Sequence, residues 1–175
     1  MSIFAATIPA FAQMLEALEG FLEKGEHHVL AQGGDANALL QARLAPDMHP
    51  LASQVQFSCT QAMEAVTRLS GQALLPVDAP TDFAQARALI QRARKALHEA
   101  DRLAIDDAPE RPLTITLPGD LVFEMSKEQY VVNWVVPQFY FHLVTAYDIL
   151  RSQGVALGKA DYVRHMFAFR KVPGE

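Results

Sequence analysis

The sequence predicts an all-α fold, a four-helix bundle with one short β-hairpin before its last long helix. Four segments repeat apolar residues at spacings of three and four, which is the period of an amphipathic helix. One short stretch late in the chain alternates apolar and polar residues with a period of two, which is typical of paired strands. The length of 175 residues, half of them hydrophobic and a fifth charged, favours one globular domain over residues 1–175.

The first helix is predicted over residues 3–30, and an acidic stripe beside its apolar face is assigned to the solvated side. Pro9 lies either in the first turn of a helix that begins near Thr7 or at a kink in a longer helix. A short helix follows over residues 36–43, with Asp35 as its N-cap. The apolar face comprises Phe4, Ile8, Phe11, Leu15, Leu18 and Leu22, and the acidic stripe comprises Glu16, Glu19, Glu23 and Glu26.

The second helix is predicted to begin at Pro50 and to stop near Gly71. Proline suits the first helical position because the amide there has no intrahelical acceptor. Apolar residues then follow at spacings of three and four from Leu51 to Leu69. A loop with two prolines over residues 73–80 separates this helix from the next one.

The third helix is predicted over residues 83–104, capped by Thr81 or Asp82, and has the most regular apolar spacing in the chain. Its other face is basic, but Glu99 and Asp101 interrupt it, which favours a solvated face over a nucleic-acid site. A net charge of −5 and a pI near 5.6 also argue against nucleic acid as a partner. The basic residues are Arg87, Arg92, Arg94, Lys95 and Arg102.

A β-hairpin is predicted from two strands over residues 113–117 and 121–125. Apolar and polar residues alternate in both strands, and the sequence Pro-Gly-Asp at 118–120 supplies the turn. Ser126 and Gln129 directly afterwards form a capping box, which predicts the start of a helix.

The fourth helix is predicted over residues 127–152, with a bend near Pro137 and an end at Gly154. The 21 residues from Tyr130 to Leu150 are mostly apolar and close to the length of a membrane span, but the polar residues among them favour a buried helix and no membrane partner. The helix is apolar on almost every side, which predicts a homodimer that buries part of this helix or the hairpin side. The polar residues are Asn133, Gln138, His142, Thr145 and Asp148.

Several blocks of sequence resemble the bacterial domain-of-unknown-function family DUF1993, within the DinB/YfiT-like superfamily. The resemblance implies a DinB-like, up-down-down-up four-helix bundle that is commonly dimeric. It also implies a divalent metal held by three histidines, one from the start of the second helix and two from an H-x-x-x-H pair on the last long helix. The blocks are residues 42–48, 50–51, 54–55, 141–142, 146–147, 149–151, 154–155 and 158–162.

On this chain the implied metal ligands correspond to His49 and His142, with Gln138 in place of the third histidine. Positions 138 and 142 share one helix face. Imidazole suits zinc, nickel and iron, whereas a neutral amide oxygen is a poor ligand for them, so Asp47 is an alternative donor. The competing hypothesis is that His142 is a core histidine hydrogen-bonded to Gln138 or a tyrosine, and that His49 is partly exposed.

Four further residues are candidates for the surroundings of this pocket. Trp134, Tyr147 and Tyr162 are expected near it, although aromatic residues at helical spacing are more often part of a core. Lys159, after a glycine turn, is a candidate contact for an anionic group. The one cysteine, Cys59, excludes an internal disulfide and is expected to be a small buried hydrophobic residue.

Two functions remain open from the sequence. One is a divalent-metal-assisted, thiol-dependent transferase or hydrolase; the resemblance implies relatives that are thiol-dependent S-transferases or isomerases. The other is a metal-free protein, either binding a small ligand or serving as a structural or stress-associated dimer without catalysis. The first residues lack the basic start of a secretory signal, so a cytoplasmic location is expected.

Overall fold

The structure, a computed structural model, describes residues 2–73 and 75–171 and is mostly helical with one two-stranded sheet. The predicted mostly helical class with one hairpin is confirmed. The helices are α1 (Ile3–Ala31), α2 (Leu51–Leu69), α3 (Phe83–His98), α4 (Arg102–Asp106), α5 (residues 127–152) and α6 (Lys159–Tyr162); the strands are β1 (Pro112–Leu117) and β2 (Leu121–Ser126); 3-10 helices cover Ala36–Gln41 and Arg164–Phe169.

Helix α1 begins earlier than a start near Thr7. Ser2 is its N-cap, and the Ser2 hydroxyl accepts a hydrogen bond from the Ala5 N–H at 3.2 Å. Pro9 therefore lies inside a longer helix, where its missing N–H leaves the Ala5 carbonyl without its usual donor.

Helix α3 ends at His98 and does not continue to residue 104 as predicted. The apolar spacing does continue, but Asp101 caps a separate short helix, α4, by accepting from the N–H groups of Leu103 and Ala104 at 2.9 and 3.3 Å. A carboxylate that satisfies the free N–H groups of a new helix competes with continuation of the old one. The apolar period therefore spans two helices.

The charged faces of α1 and α3 pair with each other at the edge of their interface, so neither faces only solvent. Arg87 contacts Glu26 at 2.5 Å, and Arg94 contacts Glu19 at 2.7 Å. Partly exposed pairs of this kind each stabilise a fold by about 0.2–1 kcal/mol. They neutralise much of the basic face that the sequence showed on the third helix.

Helix α5 consists of α-helical Lys127–Tyr130, π-helical Val131–Val135 and α-helical Val136–Ser152. The capping box of Ser126 and Gln129 is present at its start. Because Pro137 has no N–H to donate, the backbone hydrogen bonds of the helix are interrupted where the π-helical segment lies. No helix within the described part of the chain is long and apolar enough to cross a membrane.

The hairpin precedes α5 as predicted, with Leu117 paired to Leu121 next to the turn. Gly119 and Asp120 in this turn have φ angles of 80° and 57°. Glycine adopts such angles readily and aspartate tolerates them, so the sequence suits the turn.

The two helices that carry the candidate site, α2 and α5, lie side by side in opposite directions. Gln54 near the start of α2 contacts His142, and Gln61 farther along α2 contacts Gln138, which comes earlier on α5. Helix α1 packs against both of them and against α3. The core between these helices is apolar, and polar side chains are concentrated along the α2–α5 contact.

Candidate functional site

The site is centred on the hydrogen bond between His142 of α5 and Gln54 of α2. The Gln54 side chain is buried, its Nε2 donates to the backbone carbonyl of His49 at 3.1 Å, and its Oε1 lies 2.9 Å from His142 Nδ1. Because the bond to His49 fixes the orientation of the amide, the Oε1 atom accepts from His142 Nδ1–H. The neutral His142 ring therefore keeps its free lone pair on Nε2.

Phe57 of α2 contacts both histidine rings and joins them into one cluster. Its ring centroid lies 5.1 Å from that of His49 and 4.8 Å from that of His142. Phe141 meets the His142 ring edge-on at 5.3 Å. His49 is exposed, so the cluster of His49, Gln54, Phe57, Phe141 and His142, which we call the His142 cluster, lies at the surface.

The environment of His142 favours its neutral form. Burial lowers the pKa of His142 to about 4, and the nearby charge of His49 acts in the same direction. At neutral pH the ring is therefore a hydrogen-bond acceptor at Nε2 and carries no charge.

Acidification is expected to destabilise the protein through His142. The unfolded ring binds a proton near its ordinary pKa of 6.5, whereas the folded ring does so only near 4. The free energy of unfolding should therefore fall as the pH drops from about 6.5 to about 4, by about 1–2 kcal/mol after allowance for solvent screening of a half-buried ring. Urea unfolding across this range, compared with the non-titrating His142→Asn variant, tests it; an equal slope in both proteins contradicts it.

One hypothesis from the sequence was that Gln138 is hydrogen-bonded to His142. In the structure it is not. Its Oε1 accepts from Gln61 Nε2 at 3.4 Å, while His142 is held by Gln54. Gln61 is buried, and its Oε1 has no hydrogen-bond partner among the residues described. Asp47 is exposed in the turn before α2.

The other predicted pocket residues lie in separate contacts. Trp134 packs against Phe123 of β2 at 5.2 Å, whereas Tyr147 and Tyr162 pack against Phe21 of α1 at 5.4 and 6.4 Å. Positions 134 and 147 are about 20 Å apart along a helix with a rise of 1.5 Å per residue. One small pocket around His142 therefore does not include both of them.

Lys159 is exposed at the start of α6 and lies outside the His142 cluster. The ion pair beside it joins Lys24 of α1 to Asp161 at 2.6 Å. This hydrogen bond from Lys24 lowers the pKa of the Asp161 carboxyl group. The pair fastens α6 to α1 and so holds Tyr162 against Phe21.

Comparison with known families identifies the chain. The profile of DUF1993, a domain of unknown function, matches residues 3–163. The chain belongs to the DUF1993 family. It is also similar to the crystal structure of a DinB family member from Shewanella denitrificans, with a TM-score of 0.83 and 30% identity over 98% of this chain and 94% of that one. No curated protein matches the sequence.

The resemblance to a DinB-like family is thus confirmed, and position 138, where the superfamily implies a third histidine, is a glutamine in this DUF1993 protein. Within residues 2–73 and 75–171, no three His, Cys, Asp or Glu side chains lie close enough together to hold a metal ion. His142 presents one free imidazole nitrogen, His49 is exposed, and the oxygen of Gln138 accepts from Gln61. The residues do not fit a three-histidine metal site.

Sequence reasoning missed Gln54 as a site residue. Glutamine has no titratable group, so its residue type alone did not mark Gln54 as a candidate for catalysis or metal binding. The available signal was its position, since Gln54 lies five residues after His49 and within a block that resembles the family.

Proposed function

We propose that this DUF1993 protein binds a small ligand without a metal, at the Nε2 atom of His142. The observation that carries the proposal is the double hydrogen bond of Gln54, which fixes His142 with Nδ1 as donor and Nε2 as acceptor. A fixed polar atom beside apolar ring surfaces is the usual composition of a ligand site. Phe57 and Phe141 supply those surfaces.

The ligand class follows from the charge of the site. A neutral imidazole next to aromatic rings accepts a hydrogen bond from an N–H or O–H group. The ligand is therefore a small molecule with a hydrogen-bond donor and an apolar part. The proposal includes a single domain with the up-down-down-up order of α1, α2, α3 and α5, a cytoplasmic location and a homodimer.

A second candidate function is a thiol-dependent transferase or hydrolase assisted by zinc, nickel or iron. One observation favours it, because metal-binding histidines commonly donate their other ring N–H to an oxygen acceptor, as His142 does to Gln54. The small number of histidines argues against this function, since Gln138 occupies the position at which the resemblance implies a third histidine ligand.

Metal content separates the two candidates. The untagged protein, purified from medium that contains zinc, nickel and iron, is expected to hold far less than one metal ion per chain. The variant Gln138→His is expected to take up about one zinc ion per chain, because it completes three imidazoles with His49 and His142. Elemental analysis measures both, and Gln138→Asn, which retains an amide, is the control.

About one metal ion per chain in the wild-type protein, lost in His142→Ala, would favour the metal-assisted function instead. If the wild-type protein is free of metal, a library of small molecules is screened by thermal unfolding. A ligand of the proposed site raises the melting temperature of the wild-type protein but not that of His142→Phe.

A further inference from the structure

We propose that the last 3-10 helix, Arg164–Phe169, and the two residues after it bind the surface of an anionic lipid bilayer. The side chains that would meet the lipid are Met166, Phe167, Phe169, Arg170 and Lys171, which we call the aromatic–basic surface. This surface shares no residue with the His142 cluster, so the inference does not depend on the proposed ligand site.

The aromatic–basic surface exposes three large apolar side chains within four residues. Met166 and Phe167 are 57% and 56% exposed, and Phe169 is 82% exposed. Together they present about 300–400 Å² of side-chain surface to water, which is the size of the largest apolar patch on a typical monomer. Patches of this size are often interaction sites.

The geometry of the 3-10 helix places these side chains outward. Residues three apart share one row of such a helix. His165 and Ala168 line a groove of about 180 Å³ with Gln13 and Ala17 of α1, so their row faces the protein. The other two rows contain the aromatic–basic surface, in which Met166 and Phe169 share one row and Phe167 and Arg170 share the next.

The charge around the surface is positive and uncompensated. Residues 162–171 contain two arginines and one lysine but no aspartate or glutamate, in a chain whose net charge is −5. Among the residues that the structure describes, Arg170 and Lys171 form no ion pair with a carboxylate. Asp161, the nearest acidic residue in sequence, is already paired with Lys24 at 2.6 Å.

An anionic bilayer fits this combination better than another protein does. Aromatic side chains beside arginine and lysine are typical of segments that bind in the headgroup region, where the rings enter the boundary of the acyl chains and the cations meet the phosphates. A second copy packed two-fold on the same surface would oppose its own Arg170 and Lys171. The rest of the chain is acidic, so only this segment is attracted to an anionic membrane.

The segment is also held in place before it meets a membrane. Tyr162 stacks on Phe21 of α1 at 6.4 Å, and the Val163 carbonyl accepts from the Met166 N–H at 2.9 Å. Because these contacts fix the start of the 3-10 helix, binding does not have to order a disordered peptide.

Sedimentation with sucrose-loaded vesicles tests the apolar part of the surface. The full chain is expected to sediment with vesicles of phosphatidylcholine that contain about 30% phosphatidylglycerol, and to remain in solution with phosphatidylcholine alone. The double variant Phe167→Ser, Phe169→Ser is expected to bind about tenfold more weakly or less, because two rings no longer enter the lipid. Leu103→Ser on α4 is the matched control, since Leu103 is 82% exposed like Phe169, and its binding is expected to be unchanged.

A second pair of variants tests the basic part of the surface. The double variant Arg170→Gln, Lys171→Gln is expected to bind about 25-fold more weakly, because each cation near an anionic surface contributes a factor of about five in affinity. Arg92→Gln, Lys95→Gln removes two exposed cations from α3 instead and is expected to bind as the wild-type protein does. All of these side chains are exposed, so the melting temperatures are expected to match that of the wild-type protein.

The inference is wrong if the wild-type protein does not sediment with the anionic vesicles, or if the phenylalanine variant sediments as the wild-type protein does. Equal losses of binding in Leu103→Ser and in the phenylalanine variant would also contradict it. If vesicles are not bound and the phenylalanine variant has a lower molecular mass by light scattering, the surface is an interface with a second copy and the inference is rejected. The metal and ligand measurements at His142 are separate from all of these results.

Discussion

Replacement of Lys127 by methionine is expected to lower the free energy of unfolding by about 2–4 kcal/mol, because each buried carbonyl left without a donor costs about 1–3 kcal/mol and loss of the buried charge offsets part of this cost. The Lys127 side chain is fully buried at the start of α5, and its Nζ donates to the backbone carbonyls of Ala104, Ile105 and Asp107 at 3.1, 3.1 and 2.6 Å. Burial lowers the pKa of the ammonium group. Methionine fills a similar volume but leaves these carbonyls, at the end of α4, without donors.

The measurement is denaturation by urea and by heat. For a chain of this size the loss corresponds to a decrease of about 10 °C in melting temperature. Lys95→Met on α3 is the control, because the Lys95 side chain is mostly exposed and its pair with Glu99 is long at 3.8 Å. A change below about 0.5 kcal/mol is expected there. An equal effect of the two substitutions would show that the carbonyl contacts of Lys127 do not stabilise the fold.

Lys127 also shows what the sequence pattern does not predict. A lysine directly after an N-cap serine is typical of an exposed first helical turn, and nothing near Lys127 in sequence indicates three acceptors from residues 104–107. These acceptors are the carbonyls at the end of α4, a separate short helix. The apolar spacing of α3 continues through α4 without a break, so the spacing does not reveal that a second helix begins there. Whether that period belongs to one helix or two depends on the capping by Asp101.

Local signals, in contrast, predicted their elements well. The alternation around the Pro-Gly-Asp turn predicted the hairpin, and the pairing of Leu117 with Leu121 follows from that turn. Ser126 and Gln129 predicted the start of α5. In each case the residues that make the hydrogen bonds are adjacent in sequence, so the pattern contains the whole interaction.

The candidate site depends on contacts between distant segments. Helical spacing placed Gln138 and His142 on one helix face, and the family resemblance related that face to His49. Neither signal identified the glutamine whose side-chain amide is hydrogen-bonded to the His142 ring. Gln54 is 88 residues from His142 and carries no chemical motif. The rise of a helix already separates Trp134 from Tyr147, so one pocket containing both was excluded by geometry available in the sequence.

Replacement of Phe139 by alanine is expected to cost about 3–5 kcal/mol of stability and to loosen α5 from α1. The Phe139 ring is fully buried, stacks on Phe11 of α1 at 4.2 Å and meets Tyr140 edge-on at 5.3 Å. Alanine leaves a cavity at this contact, whereas Phe169→Ala, at an exposed position near the end of the chain, is expected to change stability by less than about 0.5 kcal/mol.

A double-mutant cycle with Phe11→Ala isolates the stacked pair from the loss of buried area. Because the rings touch, the double variant is expected to lose less stability than the sum of the two single variants, by about 0.5–1.5 kcal/mol. Urea unfolding of the four proteins measures this difference. Strict additivity would mean that the two rings stabilise the fold independently of each other.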